Sequence, residues 1–382
     1  MRVLVLGGDG YLGWPTAMHL SARGHEVAVV DNYFRRQACK DKDVPALFVT
    51  PELGERAKLW KAKSGRDIAV HVGDVTNYSF FLETVRAFKP DAMIHYAEQP
   101  SAPYSMLGHD EAAFTLQNNL TSTLNVVFAV REAAPDCHIV KLGTMGEYGT
   151  PNIPIEEGWI TIEREGRSQK FLYPRQAGSL YHTTKIQDTD LLYFYVRVWG
   201  LRVTDLMQGP VYGVFTDENE DEEQLTSHFN YDELFGTVLN RFMVQAVAGV
   251  PLTVYGKGGQ TRGYLNIKDT MQCVRLAVES PPAAGELRIF NQFTEVFSVN
   301  ELAKKVHDAG RRLGIEVAVE NVANPRIEAE EHFYEPAHRG LTELGLEPNP
   351  LTQDTLAGMI EFVRRHANGV RRDIIRPRTK WR

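Results

Sequence analysis

Tyr181 and Lys185 stand four residues apart in Leu180-Tyr181-His182-Thr183-Thr184-Lys185, so a helix there places both on one face. A free phenol has a pKa of ~10 and is a poor base at neutral pH. An ammonium beside it favours the phenolate. Bringing the phenol down toward neutrality, a change worth roughly 4 kcal/mol, would poise it for general-base work. Tyr181 would then take the proton of a substrate alcohol while the carbon gives up hydride. Tyr-x-x-x-Lys alone is common on amphipathic helices, so the chemistry needs more residues. Gly143-Thr144-Met145-Gly146-Glu147-Tyr148-Gly149 follows an apolar run and supplies two. Thr144, at a strand end, can hold the same hydroxyl. Glu147 is either an acid that moves protons or a structural carboxylate capping the loop. Taken by itself, His182 reads as an ordinary half-buried helix histidine.

A departing hydride needs an acceptor. Gly7, Gly10 and Gly13 lie in Gly7-Gly8-Asp9-Gly10-Tyr11-Leu12-Gly13, between an apolar strand at 2–6 and a helical pattern to about 23. Glycine there lets backbone approach a pyrophosphate, and the helix N-terminus adds N–H donors and partial positive charge. Asp31 ends the next strand, at 27–30, where it can accept both hydroxyls of a ribose diol and would repel a 2′-phosphate. The expectation is NAD rather than NADP. Arg35 and Arg36 follow closely and pull the other way, unless they are surface charges. Asp74, in Gly73-Asp74-Val75, is an adenine contact or a helix cap. Asp9, Tyr11, Leu12, Asn32, Val75, Tyr96 and Lys185 complete the expected cofactor set.

These residues need a scaffold. Strands are expected at 68–72, 92–96 and 138–142, with helices near 77–88 and 111–134 between them. A helix at about 179–199 leads into a strand at 202–205. Strands alternating with helices predict an α/β fold, a Rossmann-type doubly wound parallel sheet. Beyond Gly209 the rhythm changes to an acidic loop, a helix near 233–248, a strand at 252–255 and a Gly-rich turn at 256–259. The expected division is a cofactor domain at 1–206, with strands returned from about 252–298, and a smaller C-terminal substrate-binding lobe at 207–382.

The glycine turn, Thr144 and the Tyr181/Lys185 pair together resemble the extended short-chain dehydrogenase/reductase superfamily, the NAD-dependent epimerases and dehydratases that modify nucleotide sugars. Its 4,6-dehydratases follow the Thr directly with Asp and Glu, where this chain has Met145 and Gly146. Its 4-epimerases carry no carboxylate in the stretch. Glu147, one step later, suggests an elimination with rearranged participants. Within the superfamily, GGDGYLGW, VDNYFRR, EQPSAPYSM, VKLGTMGEYGTPNI, YPRQAGSLYHTTK, VYGKGGQTRGYLNI, FNQFTEVFSVNEL and NPRIEAEEHFY resemble the UDP-sulfoquinovose synthase family, from residue 1 to about 370.

That resemblance implies bound NAD, UDP-glucose as substrate and sulfite as nucleophile. Thr144, Tyr181 and Lys185 would run oxidation at C4. The ketone acidifies the C5 hydrogen, water leaves across C5–C6, sulfite adds at C6 and hydride returns to C4. Met145, Glu147 and His182 fall on family active-site positions, with Glu147 or His182 moving the protons. Arg262 offers a planar fork for the pyrophosphate, and Arg326 matches a nucleotide-holding position. Gln99, Asn119, Gln208, Tyr255 and Gln260 complete the substrate set. One departure stands out: the family reads Glu-Gln-Arg where this chain reads Glu98-Gln99-Pro100, and proline offers neither charge nor N–H donor. The alternative is therefore a UDP-sugar 5,6-dehydratase that does not add sulfite. A non-catalytic NAD-binding sensor is disfavoured by the intact Tyr181/Lys185 pair. The fold's usual association implies a homodimer through the helices near 111–134 and 179–199.

The gross numbers bound these readings. The chain has 382 residues, 43% hydrophobic and 24% charged, enough for a large core. A net charge of −7 argues against nucleic-acid binding. The run Asp217-Glu218-Asn219-Glu220-Asp221-Glu222-Glu223 reads as a solvated loop, and the basic stretch 371–382 as a surface arm or partner contact. Cys39, Cys137 and Cys273 show no metal spacing and suit a reducing compartment; no metal is expected. With a strand beginning at Arg2 and no apolar run of membrane-spanning length, the expectation is a cytoplasmic protein that does not enter membranes.

Overall fold

The computed structural model describes residues 1–324 and 333–376; Arg326, expected to hold the nucleotide, lies outside them. The large sheet contains Arg2–Leu6, Glu26–Asp31, Ile68–Val72, Ala92–His95, His138–Thr144, Arg202–Gln208 and Leu287–Gln292. Every pairing in it is parallel. The first strand lies between the second and the fourth, the third forms one edge, and the fifth to seventh continue to the other. This is the doubly wound order expected from the alternation of strands and helices.

The first strand is buried on both faces. Val3 and Val5 pack with Trp14, Met18 and Val274, and Leu4 and Leu6 with Phe81, Val126 and Leu192. Alternate side chains thus serve opposite faces, which is why parallel strands read as unbroken apolar runs. Helices Gly13–Ala22 and Ile267–Glu279 cover one face. Tyr78–Phe88, His109–Ala133 and Leu180–Trp199 cover the other. The last of these starts where the Ser179 hydroxyl accepts the His182 N–H (3.2 Å) and ends at Gly200, φ 70°. Such a cap contributes about 1 kcal/mol and sets where Tyr181 and His182 emerge.

Beyond Gly209, Leu252–Tyr255 forms as expected but pairs with Val319–Val322. The strand returned to the large sheet is Leu287–Gln292. The helix expected near 233–248 begins at Val238, behind a Thr237 cap. A hairpin, Trp159–Arg164 with Arg167–Leu172, carries no element forecast in the sequence.

The acidic run is not a plain solvated loop. Glu218 is buried against His19 Nδ1 and Arg23 Nη1, both at 2.9 Å. Asp217 and Glu220 pair with Lys268, Asp221 with Lys63, and Glu223 with Arg365 and His366. Scattered cations from both lobes hold the segment down. Of the basic stretch, Arg371 pairs with Asp43. Among the described residues no helix is long and apolar enough to cross a membrane, and no group of three metal-ligating side chains occurs. All three cysteines are free and buried.

Candidate active site

At the reversal between the first and fourth strands, the parallel sheet opens a crevice beyond its strand C-termini. A cavity of about 490 Å³ lies there, lined by Gly7, Gly10, Tyr11, Leu12, Gly13, Asp31, Tyr96, Thr144 and Gln208 from those ends. Thr144 and Gln208 are register partners on adjacent strands, so they reach the cavity side by side. Gln208 Nε2 donates to Gln292 Oε1, 3.1 Å away.

The cofactor end is built from backbone. A Cβ on Gly13 would lie 1.9 Å from the Gly7 carbonyl oxygen, and Gly7 itself has φ +86°. The turn closes on itself only with glycine, which leaves its main chain bare toward the cavity. Asp31 accepts the Asp9 N–H (2.8 Å) and the Tyr33 N–H (2.6 Å), one per carboxylate oxygen. Each oxygen keeps a lone pair for a ribose hydroxyl. Burial and the nearby Asp9 push this carboxyl up to about 6. Asn32 lines the cavity and donates to Asp74 Oδ2 at 2.9 Å, while the other oxygen of Asp74 is taken by Thr76. Val75 lines the same end. These residues fit a dinucleotide with a free ribose diol.

Three members of the expected cofactor set lie off the cavity, Asp9, Arg36 and Lys185. Asp9 is buried off the cavity, its carboxylate bound by Arg36, Arg56 and His228. His228 and Arg36 hold it down at about 2 against the cost of burial. Arg36 is consumed in that cluster. Arg35 does line the cavity, lying over the Phe235 ring at 4.4 Å.

At the chemical end Thr144, Tyr181 and His182 line the cavity. The Tyr181 N–H donates to Ser105 Oγ (3.1 Å), and the rings of Tyr181 and His182 lie 5.2 Å apart. Gly146 explains the composition of its stretch: a Cβ there would meet His182 Nε2 at 2.3 Å. No side chain, acidic or otherwise, fits at position 146 while His182 keeps this place. The His182 ring, oriented through Nδ1 by Ser179 Oγ at 3.1 Å, occupies the space.

Lys185 and Glu147 both direct their charges into buried ion pairs. Lys185 Nζ binds Glu98 and lies 3.9 Å from Asp188. Burial, then the charge of Glu98, push the Tyr181 phenol upward, and the cation that opposes them is Lys141. Lys185 is thus paired with Glu98, one of the charges that raise the phenol. Glu147 is fully buried and does not line the cavity. Lys141 Nζ (3.3 Å) and Arg175 Nη1 (3.4 Å) reach it, it accepts the Thr144 N–H (3.3 Å), and it closes a capping box with Thr144. Burial raises its carboxyl against the lowering effect of Lys141. Its geometry is that of a carboxylate bracing the turn. Met145 is buried in the core and likewise off the cavity.

On the substrate side Gln208, Tyr255, Gln260 and Arg262 line the cavity. Gln99 and Asn119 do not: Asn119 Oδ1 accepts the Gln99 N–H at 2.8 Å, and both are fully buried. They brace the loop that presents Glu98 and Pro100. Asn118, one residue earlier on the helix, faces the cavity instead. The sequence reading also missed Glu98, His228, Asn230, Phe235 and Arg241, which line it. Arg241 is buried beneath Tyr255, donating to its hydroxyl at 3.2 Å.

Known proteins place this architecture. The chain is 49% identical to UDP-sulfoquinovose synthase of Spinacia oleracea, over 100% of this chain and 79% of that one. It is 47% identical to UDP-sulfoquinovose synthase of Sulfolobus acidocaldarius, over 100% and 98%. In fold it matches UDP-glucose 4-epimerase of Bifidobacterium longum, solved with NAD+ and UDP, with a TM-score of 0.73 at 19% identity, covering 97% and 100%. Residues 3–291 match the NAD dependent epimerase/dehydratase family, and the chain belongs to that family.

Proposed function

We propose that the chain converts UDP-glucose and sulfite into UDP-sulfoquinovose and water. The sequence is oxidation at C4, loss of water across C5–C6, sulfite addition at C6 and re-reduction at C4. The observation that carries this reading is that Thr144, Tyr181 and His182 line one cavity, with Gly146 making room for the histidine. Two full-length relatives bearing that enzyme's name support it.

Gly7, Gly10, Gly13 and Asp31 would hold NAD, which when bound supplies a reversible hydride acceptor and, oxidised, a positive charge. Thr144 holds the C4 hydroxyl and Tyr181 takes its proton. His182, the titratable ring beside them, moves the protons of the C5–C6 step, since Glu147 is shut away behind Thr144. Arg262, Arg241 and Tyr255 receive the UDP moiety, and Gln208 orients the sugar. Two copies would associate through His109–Ala133 and Leu180–Trp199, along which Leu116, Leu124, Phe194 and Val198 are exposed.

A second reading rests on Pro100, which lines the cavity without a charge to receive an anion. Elimination would then proceed and sulfite addition would not. Incubation with UDP-glucose, with and without sulfite, followed by mass analysis, separates the two. The sulfonated nucleotide sugar is expected only with sulfite present. A dehydrated product in both arms would establish the second reading, and no conversion in either would refute both.

A further inference from the structure

From the placement of the two arginines behind Asp31, we infer that this chain excludes a 2′-phosphorylated dinucleotide through Asp9, which holds Arg36 captive. Arg36 follows the ribose-facing carboxylate by five residues on helix Phe34–Asp41, and it is bound to Asp9, whose main-chain N–H donates to Asp31. Its guanidinium is spent there. Nε donates to Asp9 Oδ2 and Nη2 to Asp9 Oδ1, both at 2.8 Å, a bidentate fork. Nη1 donates to the Thr50 carbonyl at 2.9 Å and Nη2 to that of Pro51 at 2.8 Å. Arg36 does not line the cavity. Arg35 does, but it stacks on Phe235 and its Nη1 points to Asn230 Oδ1 at 3.4 Å.

Asp9 therefore acts twice in cofactor choice. Its main-chain N–H fixes Asp31, which repels the phosphate. Its side chain withdraws the cation that would compensate. Arg56 and His228 lock the arrangement from the other side of the carboxylate. This predicts that removing Asp31's charge alone is insufficient to admit NADP, because Arg36 is still held. The inference concerns dinucleotide selection only and stands or falls apart from the sugar chemistry.

The test is dinucleotide retention. Protein is incubated with equal NAD and NADP, washed, and the bound dinucleotides are extracted and quantified. Asp31→Ser should raise the NADP:NAD ratio by lifting the repulsion, but leave NAD the retained dinucleotide. Asp31→Ser with Asp9→Asn should raise it by about tenfold over Asp31→Ser, the scale of one charge-assisted phosphate contact. Adding Arg36→Ala should return it to the Asp31→Ser value. Equal ratios in the first two variants, or no fall on adding Arg36→Ala, would overturn the inference. Because Asp9→Asn strands the buried Arg56, the series is repeated with Arg56→Met if circular dichroism shows loss of fold. Asp31→Ser with Arg36→Ala leaves Asp9 intact and gives a reading in any case. Its ratio should equal that of Asp31→Ser, and a lower one would show Arg36 already at the phosphate position and contradict the captive arrangement.

Discussion

A phenol buried beside a carboxylate needs help to act as a base. Lys185 is paired with Glu98, one of the charges that raise Tyr181. Lys185→Met should leave that charge uncompensated and hold the phenol protonated to higher pH. The acidic limb of the kcat/KM profile then moves upward; an unmoved limb would separate Lys185 from the phenol's titration. Gly146→Ala should displace His182 and lower kcat by on the order of a hundredfold, as misplacement of a reacting group does, with the fold intact by circular dichroism. Glu147→Gln should instead leave the kcat/KM profile in place with only a small change in stability, because glutamine can still accept the Thr144 N–H while Asp205 and Asp190 keep Lys141 and Arg175 paired. Chemical denaturation measures the stability. Tyr181, Thr144 and the glycines were legible because each lies in a short motif beside a strand or helix end. The burial of Glu147 was not, since Lys141, Arg175 and Thr189 reach it from separate elements. One signal was present: a lysine inside the apolar run Ile139-Val140-Lys141-Leu142 must find a buried partner.

At the scale of elements, the parallel strands and their helices followed from apolar runs and alternation, and their ends brought Asp31, Thr144 and Gln208 to one edge. The segment between Gly209 and Val238 has no periodicity to read. Its contribution came from ionic contacts across the chain, Glu218 to the first helix and His228 to the glycine turn. Glu218 is held at about 2, below its usual 4.5; burial opposes ionisation, and His19 and Arg23 outweigh it. A depressed carboxylate stabilises the fold above its unfolded value, and that contribution is lost as pH falls from 4.5 toward 2. The contribution at neutral pH is about 3 kcal/mol. The stability difference between the parent and Glu218→Gln should therefore be present near neutrality and shrink through that acid window. A difference independent of pH would remove Glu218 from the acid response.

For the whole molecule, helices His109–Ala133 and Leu180–Trp199 carry exposed apolar residues, Leu116, Leu124, Phe194 and Val198 among them. Phe194 and Val198 are 49% and 55% exposed on the helix that bears Tyr181, so self-association through that face would brace the site from outside. Phe194→Asp should yield a monomer by sedimentation, with lower stability; an unchanged sedimentation coefficient would place any association elsewhere. That Tyr181 opens a C4 oxidation acidifying the C5 hydrogen is the step on which the proposed reaction rests. It is tested most directly by incubating the protein with UDP-glucose in deuterated water, without sulfite, and examining the recovered nucleotide sugar by NMR. Deuterium at C5 with the parent, and none with Tyr181→Phe, is the predicted result. No exchange in the parent, or equal exchange in the phenylalanine variant, would contradict it.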